Sequence, residues 1–315
     1  MLTPQVAEGV LVTGSAGFIG SHLMRHLAAS GRHVVGVDRR PAAAGAASGA
    51  RVRHVVGDLR TLDLEPLLDG ISAVVHLAAI PGVRPSWQEF DSYVECNVLA
   101  TRRLLEACRA TGLPRIVVAS SSSVYGDSAH ERMSESQAPA PASPYAVTKL
   151  AAEQLALAYA QRPGSRLSAV ALRFFTVYGP GQRPDMLISR LIDAALNGTE
   201  ISIYGDGSAR RDFVFVDDVV RAIGRAMDTG VGSGVFNVGT GRNVSVAELI
   251  AQASALAERS PVVVHRDRQP GDVGVTLADV SRTAEVLGFR ASTDLAEGLR
   301  RSIEDRRSQM VAVGA

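Results

Sequence analysis

Tyr145 and Lys149 stand four residues apart in Ser143-Pro144-Tyr145-Ala146-Val147-Thr148-Lys149, and of the chain's 33 lysines and arginines Lys149 is the sole lysine. On a helix, that spacing sends both side chains out from one face. Arginine is a planar, permanently charged fork, whereas lysine is a compact ammonium that donates several hydrogen bonds from one point. A chain that keeps lysine only here has a site that calls for a point charge. A free tyrosine titrates near ~10 and is a poor base at neutral pH. An adjacent ammonium favours the phenolate and lowers that value. The pair therefore reads as a tuned general base. A packed tyrosine beside a solvated lysine has the same spacing, so the surrounding elements must decide.

Those elements are legible on both sides of the pair. Ser143 suits an N-cap and Pro144 the first helical position, so a helix starts here and runs to about residue 161. Near the start of the chain, the apolar run Val10-Leu11-Val12-Thr13 meets Gly14-Ser15-Ala16-Gly17-Phe18-Ile19-Gly20, and a helix follows to Leu27. Strand, glycine turn and helix are the context of a dinucleotide fingerprint, in which pyrophosphate sits on the helix N-terminus. A second strand ends at Asp38, about twenty residues on, where a ribose-binding carboxylate belongs. Asp38 favours NAD, because it would repel a 2′-phosphate; Arg39 and Arg40 beside it read as solvated loop residues.

A third strand leads to Asp58-Leu59, where Asp58 is placed to accept from an adenine amine. A fourth, over residues 73–79, ends in Leu77-Ala78-Ala79, small enough for a cofactor to lie against it. His76 within it is given no role beyond packing. The loop 80–87 carries Arg84 and Ser86 at the carboxyl end of the sheet, the edge at which ligands bind in such folds. A long helix is expected over 91–111. The strand after it runs into Ser120-Ser121-Ser122-Ser123-Val124-Tyr125-Gly126, whose hydroxyls are presented to a site.

Strands and helices alternate to about residue 175, as in an α/β, Rossmann-like doubly wound parallel sheet. Beyond that lie a Gly/Pro-rich excursion at 178–184 and shorter elements, which suggest a smaller α/β substrate domain interleaved with the first. The expected division is 1–177 with 213–241 returning to it for the cofactor, and 178–212 with 242–315 for the substrate. Composition is that of a globular protein, with 46% apolar and 21% charged residues. A net charge of +1 argues against nucleic-acid or anionic-membrane binding. Cys96 and Cys108 are too few for a disulfide framework or a metal site. No stretch is long and apolar enough to span a membrane, and no leader precedes the first strand, so a cytoplasmic location is the expectation.

The motifs Tyr145-x-x-x-Lys149, Gly14-x-x-Gly17-x-x-Gly20, Asp38, Asp58, Arg210-Arg211-Asp212-Phe213 and Gln269-Pro270-Gly271-Asp272-Val273 together resemble the extended short-chain dehydrogenase/reductase family, across nearly the whole chain. The resemblance implies a catalytic triad of Ser121, Tyr145 and Lys149. Ser121 would hydrogen-bond the reacting hydroxyl, Tyr145 would be the base, and Lys149 would hold the ribose and lower the tyrosine pKa. It also implies that Gly14, Gly17, Phe18, Ile19, Asp38, Asp58, Leu59, Leu77, Ala78 and Ala79 contact NAD. The segments at 76–84 and 173–186 are similar to those of UDP-glucuronate 4-epimerases, including those of moenomycin-type antibiotic pathways. Ser123 stands where dehydrating or decarboxylating members carry an acid.

The implied substrate contacts are Arg84, Ser122, Ser123, Thr176, Arg183, Arg211 and Asp272. Of these, Ser122, Ser123, Thr176 and Arg183 are expected at the sugar carboxylate and Arg211 at the diphosphate. Gln269 replaces an arginine that many relatives place on the diphosphate. The expected partner is a UDP-sugar, and a homodimer through the helices near Asp91 and Tyr145 is common among such relatives. UDP-galactose 4-epimerase and UDP-glucuronate decarboxylase are the next readings. A non-enzymatic NAD sensor on the same fold is disfavoured, because sensors usually lose the Tyr/Lys pair.

Overall fold

The computed structural model describes residues 9–43, 45–127, 132–267 and 273–314. β1 (Gly9–Thr13) leads through α1 (Phe18–Ala29) to β2 (Val34–Asp38), β3 (Val52–Val56) and β4 (Ile71–His76). α2 (Phe90–Tyr93) and α3 (Ala100–Ala110) precede β5 (Arg115–Ser121), α4 (Pro144–Gln161) and β6 (Ser168–Phe174). Next come β7 (Thr176–Tyr178), α5 (Leu187–Asn197), β8 (Glu200–Tyr204), β9 (Arg210–Arg211) and β10 (Phe213–Phe215). α6 (Val216–Asp228), β11 (Gly234–Val238), β12 (Val244–Ser245), α7 (Val246–Ala257), β13 (Val262–Arg266), α8 (Ser281–Val286) and α9 (Leu295–Gly314) complete the chain.

Seven strands form one sheet in the order β11-β6-β5-β4-β1-β2-β3, with every pairing parallel. The fold is Rossmann-like. β1 is buried along its whole length, as a strand covered by helices on both faces must be. Alternation then divides its side chains: Val10 and Val12 pack with Leu23 and Phe236 on one face, and Leu11 packs with Leu104 and Ile116 on the other. The chain leaves β1 outward to β2 and β3, then returns to place β4 on the opposite side of β1. That reversal is a topological switch point, where the loops after β1 and β4 part and leave a crevice. A third apolar cluster joins Tyr178, Ile188, Leu191, Ile203, Phe215, Leu249 and Leu299, all from later elements, and Phe18 and Ile19 of α1 pack against it.

Two expectations need correction. The helix foreseen over 91–111 is α2 and α3 joined by a wide π-helical turn, Val94–Leu99. The strand foreseen to residue 79 stops at His76: Leu77 N still donates to Thr13 O at 3.2 Å, but Ala78 N turns to the Thr13 side-chain hydroxyl at 3.3 Å. The segment 77–80 thus leaves the sheet where the crevice opens.

Candidate active site

α4 begins as its sequence dictates. Ser143 has extended backbone and accepts from Ala146 N at 3.2 Å, and Pro144 fills the first helical position. The Tyr145 N–H, another donor of the first turn, goes to the fully buried Ser86 Oγ at 3.0 Å, and Ser86 in turn donates to Val83 O. The 80–87 loop therefore caps the helix that carries the tyrosine. The same loop is held by Asn97 from the π-helical turn. Its amide accepts from Ile80 N at 2.8 Å and donates to Ile80 O and the Thr148 hydroxyl, both at 3.1 Å. Tyr93 donates to Pro81 O and Gly82 O, and its ring meets Tyr145 edge-on at 6.3 Å.

β5 delivers the serines. Ser121 caps the 3₁₀ turn Ser122–Tyr125, accepting from Ser123 N at 3.2 Å and from the Ser123 hydroxyl at 2.8 Å. Its hydroxyl is near enough to the Tyr145 phenol to favour the phenolate. The expected lowering of Tyr145 by Lys149 is not what the protein's own groups produce. Burial pushes the phenol above its usual 10.0, against opposing pulls from the nearby Ser121 hydroxyl and the Arg183 charge. Burial also pushes Lys149 down, from 10.5 to about 8, with Glu153 pulling the other way. His76 is a packed, neutral side chain: Thr13 and Thr101 hydroxyls lie at 2.7 and 2.9 Å from its ring nitrogens, and burial, then Lys149, lowers it to about 3.

Ser121, Tyr145 and Lys149 line a cleft of ≈ 1340 Å³ together with Asp38 at the end of β2 and Asp58 and Leu59 after β3, two strands on the other side of β1 and β4 from β5. Gly14, Gly17, Phe18, Ile19, Leu77, Ala78 and Ala79 line it as well. The close fit of this last stretch is what a dinucleotide needs. Gly14 has φ 71°, and a Cβ there would fall 2.8 Å from Ala78 N; one on Gly20 would fall 2.1 Å from Gly14 O. Asp38 braces the turn from below, accepting from Ala16 N at 3.1 Å and from Arg40 N at 2.9 Å. Asp58 is gripped by Arg60, whose Nη2 donates to Oδ2 at 2.9 Å; this hydrogen bond holds its carboxyl below the ordinary range. A bare glycine turn, a carboxylate at the end of β2 and small residues after β4 fit a nicotinamide–adenine dinucleotide lying along the crevice.

Of the expected substrate contacts, Ser122, Ser123, Thr176, Arg183 and Arg211 line the same cleft. Arg183 donates to Asp185 Oδ2 at 2.8 Å. Arg211 donates to Val273 O at 2.6 Å and to Gly274 O at 3.1 Å, so it spans the cleft edge next to 273–274. The buried Asp212 behind it accepts from Thr240 N, Gly241 N and Ala278 N, which pins the strand carrying Arg211. Arg84 follows Val83 of the cleft lining, and its guanidinium lies over the Tyr204 ring, 3.7 Å from the centroid. Asp272 and Gln269 lie outside the described residues. Among the described residues no group of three or more His, Cys, Asp or Glu side chains could hold a metal ion.

Fold and cleft together define a cofactor-dependent enzyme class, and residues 10–239 match the family described as NAD dependent epimerase/dehydratase. The chain belongs to that family. It is similar to MoeE5, solved in complex with UDP-glucuronic acid and NAD and also with UDP-glucose and NAD. In both cases the identity is 54% over 96% of this chain and 99% of that one, with TM-score 0.92. A UDP-glucuronic acid 4-epimerase from Bacillus cereus, solved with UDP-glucuronic acid and NAD, is 37% identical over 96% of this chain and 99% of its own, with TM-score 0.91. YtcB of Bacillus subtilis (strain 168), described as an uncharacterized UDP-glucose epimerase, is 38% identical over 93% of this chain and 96% of its own.

Proposed function

We propose that the protein is an NAD-dependent 4-epimerase that interconverts UDP-glucuronate and UDP-galacturonate. The observation that carries this reading is that Ser121, Tyr145 and Lys149 line the same cleft as the glycine turn, with Arg183 close enough for its charge to act on the phenol. Tyr145 takes the proton from the sugar 4-hydroxyl while Ser121 hydrogen-bonds the same oxygen. Bound NAD supplies the acceptor and donor of the C4 hydride. Lys149 holds the ribose and contributes positive charge beside the tyrosine. The keto sugar turns over, and C4 regains its hydride on the opposite face while O4 regains its proton from Tyr145. The sugar ends with the electrons it began with.

The oxidised glucuronate is a β-keto acid, which loses CO₂ when the C5–C6 bond aligns with the ketone π system. Ser122, Ser123, Thr176 and Arg183 supply three hydroxyls and one guanidinium to the cleft. In this reading they grip the carboxylate, select the uronate and hold C6 out of alignment. Arg211 takes the diphosphate. The segments 178–212 and 242–315 form the substrate side of the enzyme. Ser123, in place of an acid, leaves no second proton-transfer group for elimination.

We also infer a homodimer through the α2–α4 face, because Trp87, Phe90, Leu99 and Val147 are exposed apolar side chains on elements that pack on one another. A cytoplasmic location suits the two free thiols, Cys96 and Cys108. A second reading, 4-epimerisation of UDP-glucose, is favoured by the description of YtcB and by the UDP-glucose complex of MoeE5. Incubation with each sugar nucleotide, followed by separation of products, decides. Conversion of UDP-glucuronate to UDP-galacturonate is expected. Faster conversion of UDP-glucose to UDP-galactose would establish the second reading, and a UDP-pentose as main product would defeat both.

A further inference from the structure

Behind the cleft wall lies a charged pair that the reaction above does not use. Glu153 follows Lys149 by one turn of α4, has no exposed surface, and meets Arg173 of β6, itself 2% exposed. The contact is bidentate, with Arg173 Nε donating to Oε2 at 2.9 Å and Nη2 to Oε1 at 2.6 Å. Ser120, the residue before Ser121, donates to the same carboxylate at 2.6 Å. On its far side the Arg173 guanidinium lies 4.7 Å from the centre of the Tyr125 ring, and Tyr125 donates to Asn237 Oδ1 of β11 at 2.7 Å.

A buried ion pair adds little to stability over apolar packing, because desolvation of two charges offsets their attraction. Its placement is better explained by Lys149. Burial in this wall works against the lysine's charge, and Glu153 is the group that counters it. The other neighbours offer no such help. His76 of β4 is neutral, Ser121 of β5 and Tyr145 of α4 are uncharged as they stand, and Arg173 is turned onto Glu153 from β6.

We propose that Glu153 is a positioning residue of the reaction, one carboxylate that anchors the strand end bearing Ser121 and keeps the Lys149 ammonium charged within the wall. The inference rests on the role given to Lys149 in the proposed function, and goes beyond it by naming what sustains that role.

The single lysine makes this directly measurable. Protein grown with side-chain-labelled lysine gives one lysine side-chain NMR resonance, which can be titrated in wild type, Glu153→Gln and Glu153→Gln/Arg173→Met. The wild-type midpoint is expected at about 8. In Glu153→Gln it should fall by about one pH unit, since an opposite charge nearby is lost. The alkaline limb of kcat should move down with it, while KM for the sugar nucleotide changes little. The double variant removes both buried charges and so guards against a Glu153→Gln protein that fails to fold; a smaller fall in the same direction is expected, since the Arg173 cation goes as well. An unchanged lysine midpoint in a folded variant would overturn the proposal, even if activity were lost, since Glu153 would then only pack. Failure of the epimerase reading would appear separately, as absent product beside a midpoint that still moves.

Discussion

For Tyr145 and Lys149, the proposed catalytic pair, burial works against both charged forms: it raises Tyr145 and lowers Lys149. The opposing pulls come from neighbours, Ser121 and Arg183 for the tyrosine and Glu153 for the lysine. Replacing Tyr145 by Phe should lower kcat by ~10²–10⁴-fold while NAD binding, read by fluorescence titration, is kept. Lys149→Arg should be similarly impaired despite its charge, because a fork does not fit a point-charge site. Activity should decline as pH rises through about 8, where Lys149 loses its proton. Stability should take the opposite slope from this group. Its folded value lies below the unfolded 10.5, so between about 8 and 10.5 the unfolded chain binds the extra proton and the lysine's contribution improves with pH. Parallel kcat and thermal-melt series across that window test the assignment, and an activity plateau through it would contradict the need for a charged lysine. The Tyr–Lys spacing was legible in the sequence. The direction of the tyrosine's shift was not, since burial and the nearness of Arg183 arise only when distant segments meet.

Where elements begin and end, the readable signals were local ones. Ser143 and Pro144 announced the start of α4, and Gly14, Gly17 and Gly20 announced the turn after β1. The π-helical turn was hidden, because an apolar repeat of about 3.6 looks the same on either side of one wide turn. Yet that turn carries Asn97, which ties Ile80 to Thr148, and the loop it holds carries Ser86, which caps the helix at Tyr145 itself. Ser86→Ala should cost about 1 kcal/mol, as the loss of a cap does. Because the lost cap sits on Tyr145, the proposed base, kcat should fall more than the stability loss alone would bring, with KM nearly unchanged; Ser86→Thr, which keeps the hydroxyl, should recover much of the rate. A Ser86→Ala enzyme that melts earlier but turns over normally would reduce the residue to a brace for its loop.

Across the whole molecule, the strand–helix alternation foretold the parallel sheet, whereas the reversal at β1 and β4, where the crevice opens, emerges only from the strand order. The later elements were harder to place. Arg84 of the loop after β4 has its guanidinium over the ring of Tyr204 of β8, a pairing that no local pattern encodes. The cleft joins the glycine turn of the sheet to Arg183 and Arg211 from beyond β7, one continuous wall that the proposed function assigns to cofactor and sugar. That continuity underlies the central claim, that a hydride leaves C4 and returns to the same carbon without exchange with water. The most direct measurement uses UDP-glucuronate bearing deuterium at C4, with the product analysed by mass spectrometry and proton NMR. The account predicts UDP-galacturonate that retains deuterium at C4, with none lost to solvent. Product carrying solvent hydrogen at C4 would contradict it.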